Sequence, residues 1–302
     1  MAHRPHSVII RHAEESDLPA IAAVWYASEV KGESDPPPPP EPDLYRYQLE
    51  TGDLQVADER GVVVGFACRI DRGEVSYLAD LFVVERWQSA GVGRALLQAV
   101  FGDRARPRFT LASTDPRAVG LYVRTGLEPR WPHFILQGSM NGPRWFPGGA
   151  EGDRVEAIEA PPDDPALATM DAEIGGRHRL QDHHFWLSSR AAVPLLLRRR
   201  GRVIGYCLVQ LRSPVVLRHP DAATIGPLGV RSPEDSASAV GAALRWAGPR
   251  REIVAISVPA ANPALPTVLR AGLRIVYTET FLSTGAPFFD PARYIASGSE
   301  LF

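Results

Sequence analysis

Apolar positions along the chain fall into short strand-like runs separated by single helical stripes. Val8 to Arg11 predicts a first strand, and a helix follows from about Ser16, with Ser16 or Asp17 as its cap. Leu18, Ile21, Ala22 and Trp25 give that helix one buried face. Pro36 to Pro40 and Pro42 exclude regular structure and predict a stiff extended loop. A helix is expected over Asp43 to Glu50. Leu54 to Ala57, Val62 to Ile70 and Val75 to Val84 then read as three successive strands. A glycine turn leads into a helix over Gly93 to Phe101. Phe109 to Ala112 is a strand, Pro116 to Thr125 a helix, and Phe134 to Gln137 a last strand. This order predicts an α/β fold (α+β), a mixed sheet with helices on both faces.

The pattern then repeats. Val8-Ile9-Ile10 corresponds to Val155-Glu156-Ala157-Ile158, and Gly61 to Phe66 corresponds to Gly201 to Tyr206. Leu81-Phe82-Val83 corresponds to Leu228-Gly229-Val230, and Arg124 to Leu127 corresponds to Arg270 to Leu273. Matches in a constant order, with small drifts in offset, indicate a diverged duplication of one unit. The predicted organisation is a first domain over 1–138, a breaker-rich linker over 139–154 and a second domain over 155–302.

Composition narrows the function. The 302 residues are 45% apolar and 23% charged, enough to build real cores. The net charge of −2 argues against a nucleic-acid footprint. No apolar run approaches a membrane span, and Met1 to Ile10 lacks the layout of a signal peptide. The two cysteines, Cys68 and Cys207, sit in strand-like runs, which excludes a disulfide framework and points to the cytoplasm. His178, His183 and His184 do not have the spacing of a metal site, so no metal is expected. His183-His184-Phe185-Trp186 is assigned instead to an acceptor wall or to the interface between the copies.

The most informative segment is Leu81 to Leu97, in which a strand end leads through Gln88-Ser89-Ala90-Gly91-Val92-Gly93 into a helix. Turn amides and a helix N-terminus aimed at one spot favour an anion, and glycines let a phosphate approach closely. The Gly-Lys-Ser/Thr ending of a P-loop is absent, and the spacing does not match a dinucleotide fingerprint.

This segment resembles the acetyl-CoA loop of the GNAT superfamily of N-acetyltransferases, Gln/Arg-x-x-Gly-x-Gly/Ala. Downstream, Asp115 to Leu127 is similar to the family's Asn-x-x-Ala-x-x-x-Tyr-x-x-x-Gly-Phe, with Asp115 in place of Asn and Leu127 in place of Phe. The resemblance implies tandem GNAT-like domains forming a pseudo-dimer, with acetyl-CoA as cosubstrate and an amine as acceptor. It implies that backbone groups of Phe82, Val83 and Val84 pair with the pantetheine arm. Amides of Gln88, Ser89, Ala90, Gly91, Val92 and Gly93 would hold the pyrophosphate, with Arg94 available to a CoA phosphate and Asp115 on the cofactor side. Tyr122 would protonate the leaving thiolate, since a hydroxyl near the sulfur acts as general acid.

The base must come from the carboxylates near the acceptor side. Tyr77 to Phe82 resembles the strand of polyamine acetyltransferases, but their glutamate position is Ala79, which argues against a polyamine. Asp80 is the remaining carboxylate. Glu29, Glu33 and Asp35 could recognise a cationic acceptor, and the terminal carboxylate of Phe302 is a further candidate. The second copy places Asp235 to Val240 opposite the glycine loop and Leu269 or Val268 opposite the tyrosine, so it is read as non-catalytic. The expected activity is direct acetyl transfer to a small-molecule or N-terminal amine, by a monomer or homodimer. A non-catalytic acyl-CoA-binding or sensing module is the alternative.

Overall fold

A computed structural model describes residues 8–39, 42–102, 106–141, 153–213, 219–299 and 301–302. Most of the predicted linker (142–152), the residues before Val8, and Pro40 in the proline-rich loop lie outside the described residues. Contacts divide the chain into two compact units, Met1–Thr110 and Leu111–Phe302.

The first unit contains β1 (Ile9–His12), α1 (Leu18–Glu29), α2 (Asp43–Thr51), β2 (Asp53–Glu59), β3 (Val62–Arg72), β4 (Val75–Val83) and α3 (Val92–Phe101). β5 (Arg108–Ala112) is cut by the boundary between the units. The strand order is β1-β2-β3-β4-β5. β1 to β4 form antiparallel ladders, and β5 joins β4 in parallel. α3 shows why the apolar spacing makes a helix here. Leu96, Leu97, Val100 and Phe101 form one stripe and are all buried, and burial of a side chain of this size contributes roughly 1.5–3 kcal/mol. At the start of α1, Asp17 is engaged by Arg11 at 2.7 Å, and its side chain makes no cap hydrogen bond to that helix.

The second unit contains α4 (Pro116–Arg124), β6 (Glu128–Ser139), β7 (Glu156–Glu159), α5 (Pro165–Gly175), α6 (Leu180–Ser189), β8 (Ala192–Arg199) and β9 (Arg202–Gln210). It continues with β10 (Ala223–Val230), α7 (Ser236–Ala247), β11 (Ile253–Pro259), α8 (Leu265–Arg270), β12 (Arg274–Ser283) and β13 (Tyr294–Ile295). The order β-α-α-β-β-β-α-β-α-β runs twice along the chain, from β1 to β6 and again from β7 to β12. This is the mixed α/β fold expected from the sequence.

The compact units do not follow the repeats, and β6 shows the reason. It is the last strand of the first repeat, yet it lies between β11 and β12 of the second repeat, antiparallel to both. The remaining order is β11-β10-β9-β8-β7, with β13 added to β10. β6 is also longer than predicted. The sequence predicts a strand only over Phe134 to Gln137; Pro129 and Pro132 both pair with β12, and Pro129 sits beside a register shift where a missing N–H is tolerated. Trp131 of β6 stacks on Phe281 of β12 with ring centroids 4.5 Å apart, so this strand is held by packing as well as by its ladders.

Candidate active site

β4 positions the first part of the site. Its ladder with β5 has three pairs, ending at Leu78↔Thr110, and Thr110 Oγ1 donates to the Leu78 carbonyl at 2.9 Å. From Ala79 to Val83, β4 has no strand partner on that side among the described residues. The β3–β4 register shifts between Cys68↔Asp80 and Arg69↔Leu78, which makes Ala79 a bulged residue. A bulge re-aims backbone groups, and here it does so where the open edge begins.

The strand leads into the turn that the sequence assigns to an anion. Gly91 caps α3 at φ 89°, a left-handed conformation that costs a side-chain-bearing residue roughly 1–2 kcal/mol. Ser89 also has positive φ, at 63°. The N–H groups of Ser89, Gly91, Val92, Gly93 and Arg94 find no acceptor among the described residues. The Ala95 amide, which bonds the Gly91 carbonyl at 3.0 Å, is the next along the helix to be satisfied. These unsatisfied donors sit at the positive end of α3, so the turn is built to take an anion. Arg94 is exposed and makes no ion pair among the described residues, which leaves its guanidinium available to a phosphate.

Gln88 has a role the sequence did not reveal. Its side chain donates to the Val83 carbonyl at 2.9 Å and ties the turn back to the end of β4. The Ala90 amide bonds the Trp87 carbonyl at 3.4 Å, a weak bond that leaves it close to free. Phe82, Val83 and Val84 are half-buried at the strand's open end.

Asp80 is buried, and Gln48 of α2 donates its Nε2 hydrogen to Asp80 Oδ2. Gln48 itself is completely buried. Sequence reasoning missed it because a glutamine on a helix carries no signal that its partner lies 32 residues away. Burial, and secondarily the charges of Asp80 and Asp53, pushes the Cys68 thiol well above its ordinary range, so Cys68 is not a nucleophile. Both cysteines are free and buried.

The other motif residues lie in the second unit. Asp115 is the N-cap of α4, accepting from the Arg117 amide at 2.8 Å and pairing with the Arg117 guanidinium at 2.6 Å. The side-chain bond from Arg117 holds its carboxyl below the usual carboxylate range, against the opposing effect of burial. Tyr122 lies on α4 and is buried, while its carbonyl accepts from Thr125 and Leu127 at the helix end. The oxygen of Phe302 is not a free base: it accepts from Arg177, Arg179 and Tyr294, and the residue is fully buried.

The second repeat lacks the glycine turn through length as well as substitution. β10 ends at Val230 and α7 begins at Ser236, a shorter connection than that from Val83 to Val92. Val240 therefore lies inside α7, completely buried in the core, and not in a loop. Asp235 is held by Arg199. α8 is short and carries Val268 fully buried and Leu269 exposed.

Among the described residues no cluster of His, Cys, Asp and Glu has the arrangement of a metal site, and no helix is long and apolar enough to cross a membrane. Residues 41–139 match the family model of the acetyltransferase (GNAT) domain. No curated protein matches the sequence. Among solved structures, the chain is similar to a Pyrococcus horikoshii protein provisionally assigned as an acetyltransferase, at 17% identity and a TM-score of 0.72, covering 100% of this chain and 98% of that one. A GCN5-related N-acetyltransferase from Sphaerobacter thermophilus is similar at 19% identity and a TM-score of 0.62, with 94% and 98% covered. A tandem GNAT protein from the clavulanic acid biosynthesis pathway is similar at 16% identity and a TM-score of 0.63, with 93% and 100% covered. Residues 41–139 thus match a GNAT acetyltransferase domain, and the chain shares its fold with a tandem GNAT protein.

Proposed function

We propose that the protein is an acetyl-CoA-dependent N-acetyltransferase with one working site, carried by the first repeat over 1–138, while 155–302 form a repeat that does not transfer acetyl groups. The observation that carries this reading is the open edge of β4 running directly into a turn of unsatisfied amides. An extended amide-bearing arm can add to that edge as a strand would, and its pyrophosphate end then reaches the start of α3. When bound, acetyl-CoA supplies the activated acyl group. The chain's residues supply the rest.

In this reading the bulged backbone at Ala79 offers an N–H to the charge that develops on the carbonyl oxygen. Asp80, oriented by Gln48, draws the proton from the attacking amine, directly or through water. Tyr122 returns a proton to the departing thiolate, and Asp115 fixes the start of its helix. Direct transfer needs no acyl-enzyme, in keeping with the buried, protonated Cys68. The acceptor is a small-molecule amine or an N-terminal amine. Its class is set by loops, and the exposed carboxylates Glu29, Glu33 and Asp35 favour a cationic one. We place the protein in the cytoplasm as a monomer or homodimer.

CoA release measured across amines, aminoglycosides and peptides tests the activity. Tyr122→Phe should lower turnover by about 100-fold or more on the best acceptor while leaving CoA affinity unchanged. Release from none of the amines, with CoA still bound, would instead make this a CoA-binding or sensing module.

A further inference from the structure

The second unit contains a cavity of about 420 Å³ at the junction of α5 and α6, within the size range of small-ligand sites. Asp171, Arg179 and His183 contribute its buried polar groups, and Ala168, Ala172 and Leu180 its apolar wall. Most of the polar capacity is already spent. Asp171 accepts from Arg179 Nε and Nη2, each at 2.6 Å, and from the Tyr206 hydroxyl. Arg179 also reaches Tyr294 and the oxygen of Phe302. Burial alone would raise the Asp171 carboxyl, but the charge and hydrogen bonds of Arg179, with those of His183, hold it well below the usual range. Asp171 is therefore a fixed anion.

That anion orients His183. Its Nε2 lies 2.9 Å from Asp171 Oδ2, so Nε2 carries the proton and Nδ1 is left as the ring's second polar atom. Nδ1 has no partner among the described residues, and it does not number among the buried atoms left unsatisfied. A histidine whose tautomer is set by a buried carboxylate and which lines a cavity is arranged to meet something in that cavity. With the proton on Nε2, Nδ1 is an acceptor, and a ligand hydroxyl can donate to it. Around it, Thr169 and Glu173 add exposed polar groups, and Leu180 is 60% exposed, a greasy surface suited to the C–H face of a ring.

The geometry points to a binding site in the second unit for a polyhydroxylated molecule of monosaccharide size, held by a hydroxyl on His183 Nδ1 and by apolar contact with Leu180. The inference does not rest on the transfer reaction. The repeat that has lost its acyl-CoA turn would then keep a role as a ligand-binding module.

The full chain, labelled at its histidine rings, is titrated with glucose in the absence of acetyl-CoA. Glucose has no amine to be acetylated, so any response reports binding alone. The His183 ring signal, assigned with His183→Gln, should shift saturably with a Kd of about 1–10 mM. Leu180→Trp, a substitution at an exposed position that fills the cavity, should weaken binding by about tenfold or more while leaving the stabilisation by acetyl-CoA unchanged. An unshifted His183 signal, or an equal shift in Leu180→Trp, overturns the assignment.

Discussion

Beyond Leu78 the β5-side edge of β4 in the first unit has no strand partner among the described residues, whereas in the second unit β13 covers the corresponding edge of β10. The two strands are otherwise built alike. β10 also has three parallel pairs, with β11, ending at Ile225↔Ile256, and it also has a register shift just beyond them. Where β4 then has no partner on that side among the described residues, Leu228 and Gly229 of β10 pair with Ile295 and Tyr294 of β13. The tail packs so closely that a Cβ added at Gly226 would collide with the carbonyl of Ala296. An open strand edge is a liability unless something uses it. In the proposed reading the first repeat keeps its edge for a ligand, whereas the second has filled its own with a segment of the same chain. This difference supports the proposed division of roles more firmly than any single substitution in the second copy.

The largest expected effect concerns acid and the stability of the second unit. His133 of β6 is fully buried, and burial lowers its pKa from 6.5 to about 3, with a smaller opposing effect from the Ser257 backbone. The native ring is neutral while the unfolded ring takes up a proton below pH 6.5. Stability from this group is therefore complete above that pH and falls as the pH drops toward 3. The loss reaches at most about 5 kcal/mol. Urea unfolding monitored by fluorescence at pH 7, 5 and 4 should show this decline, and His133→Phe should flatten it. An unchanged slope in that variant would remove His133 as the cause.

A smaller effect is expected at the turn. Gly91→Val puts a β-branched residue at φ 89°, which strains the backbone and crowds the approach of a phosphate. Acetyl-CoA affinity should fall about 100-fold, roughly 2.7 kcal/mol. Equal affinity in this variant would mean that the turn does not hold the pyrophosphate. Smaller still is Arg94→Ala. One exposed cation should contribute about threefold to fivefold in affinity, an effect that shrinks as salt is raised. A loss that does not respond to salt would point to a packing role for the side chain.

Much of the fold was legible because it rests on local pattern. Periodicity located the strands and helices of the first repeat, and the drift-tolerant matches between Gly61–Phe66 and Gly201–Tyr206 revealed the duplication. The glycine turn was legible for the same reason, since Gly91 and Gly93 act within a few residues of each other. What the sequence concealed was partner choice across distance. Nothing in Glu128–Ser139 says that this strand pairs with β11 and β12, and its two prolines argue against pairing at all. Tyr294–Ile295 is too short to read as a strand, although it closes the edge of β10. Gln48 beside Asp80, and Asp171 between Arg179 and His183, are contacts that only the packed helices create.

The central claim is one acyl-CoA site per chain, located at β4 and the turn before α3. Titration calorimetry with acetyl-CoA on the full chain tests it most directly, alongside Gly91→Val. The account predicts a stoichiometry of one in the parent protein and a loss of about 100-fold in affinity in the variant. A stoichiometry of two, or a single site that Gly91→Val leaves intact, would place acyl-CoA binding in the second repeat and contradict the account.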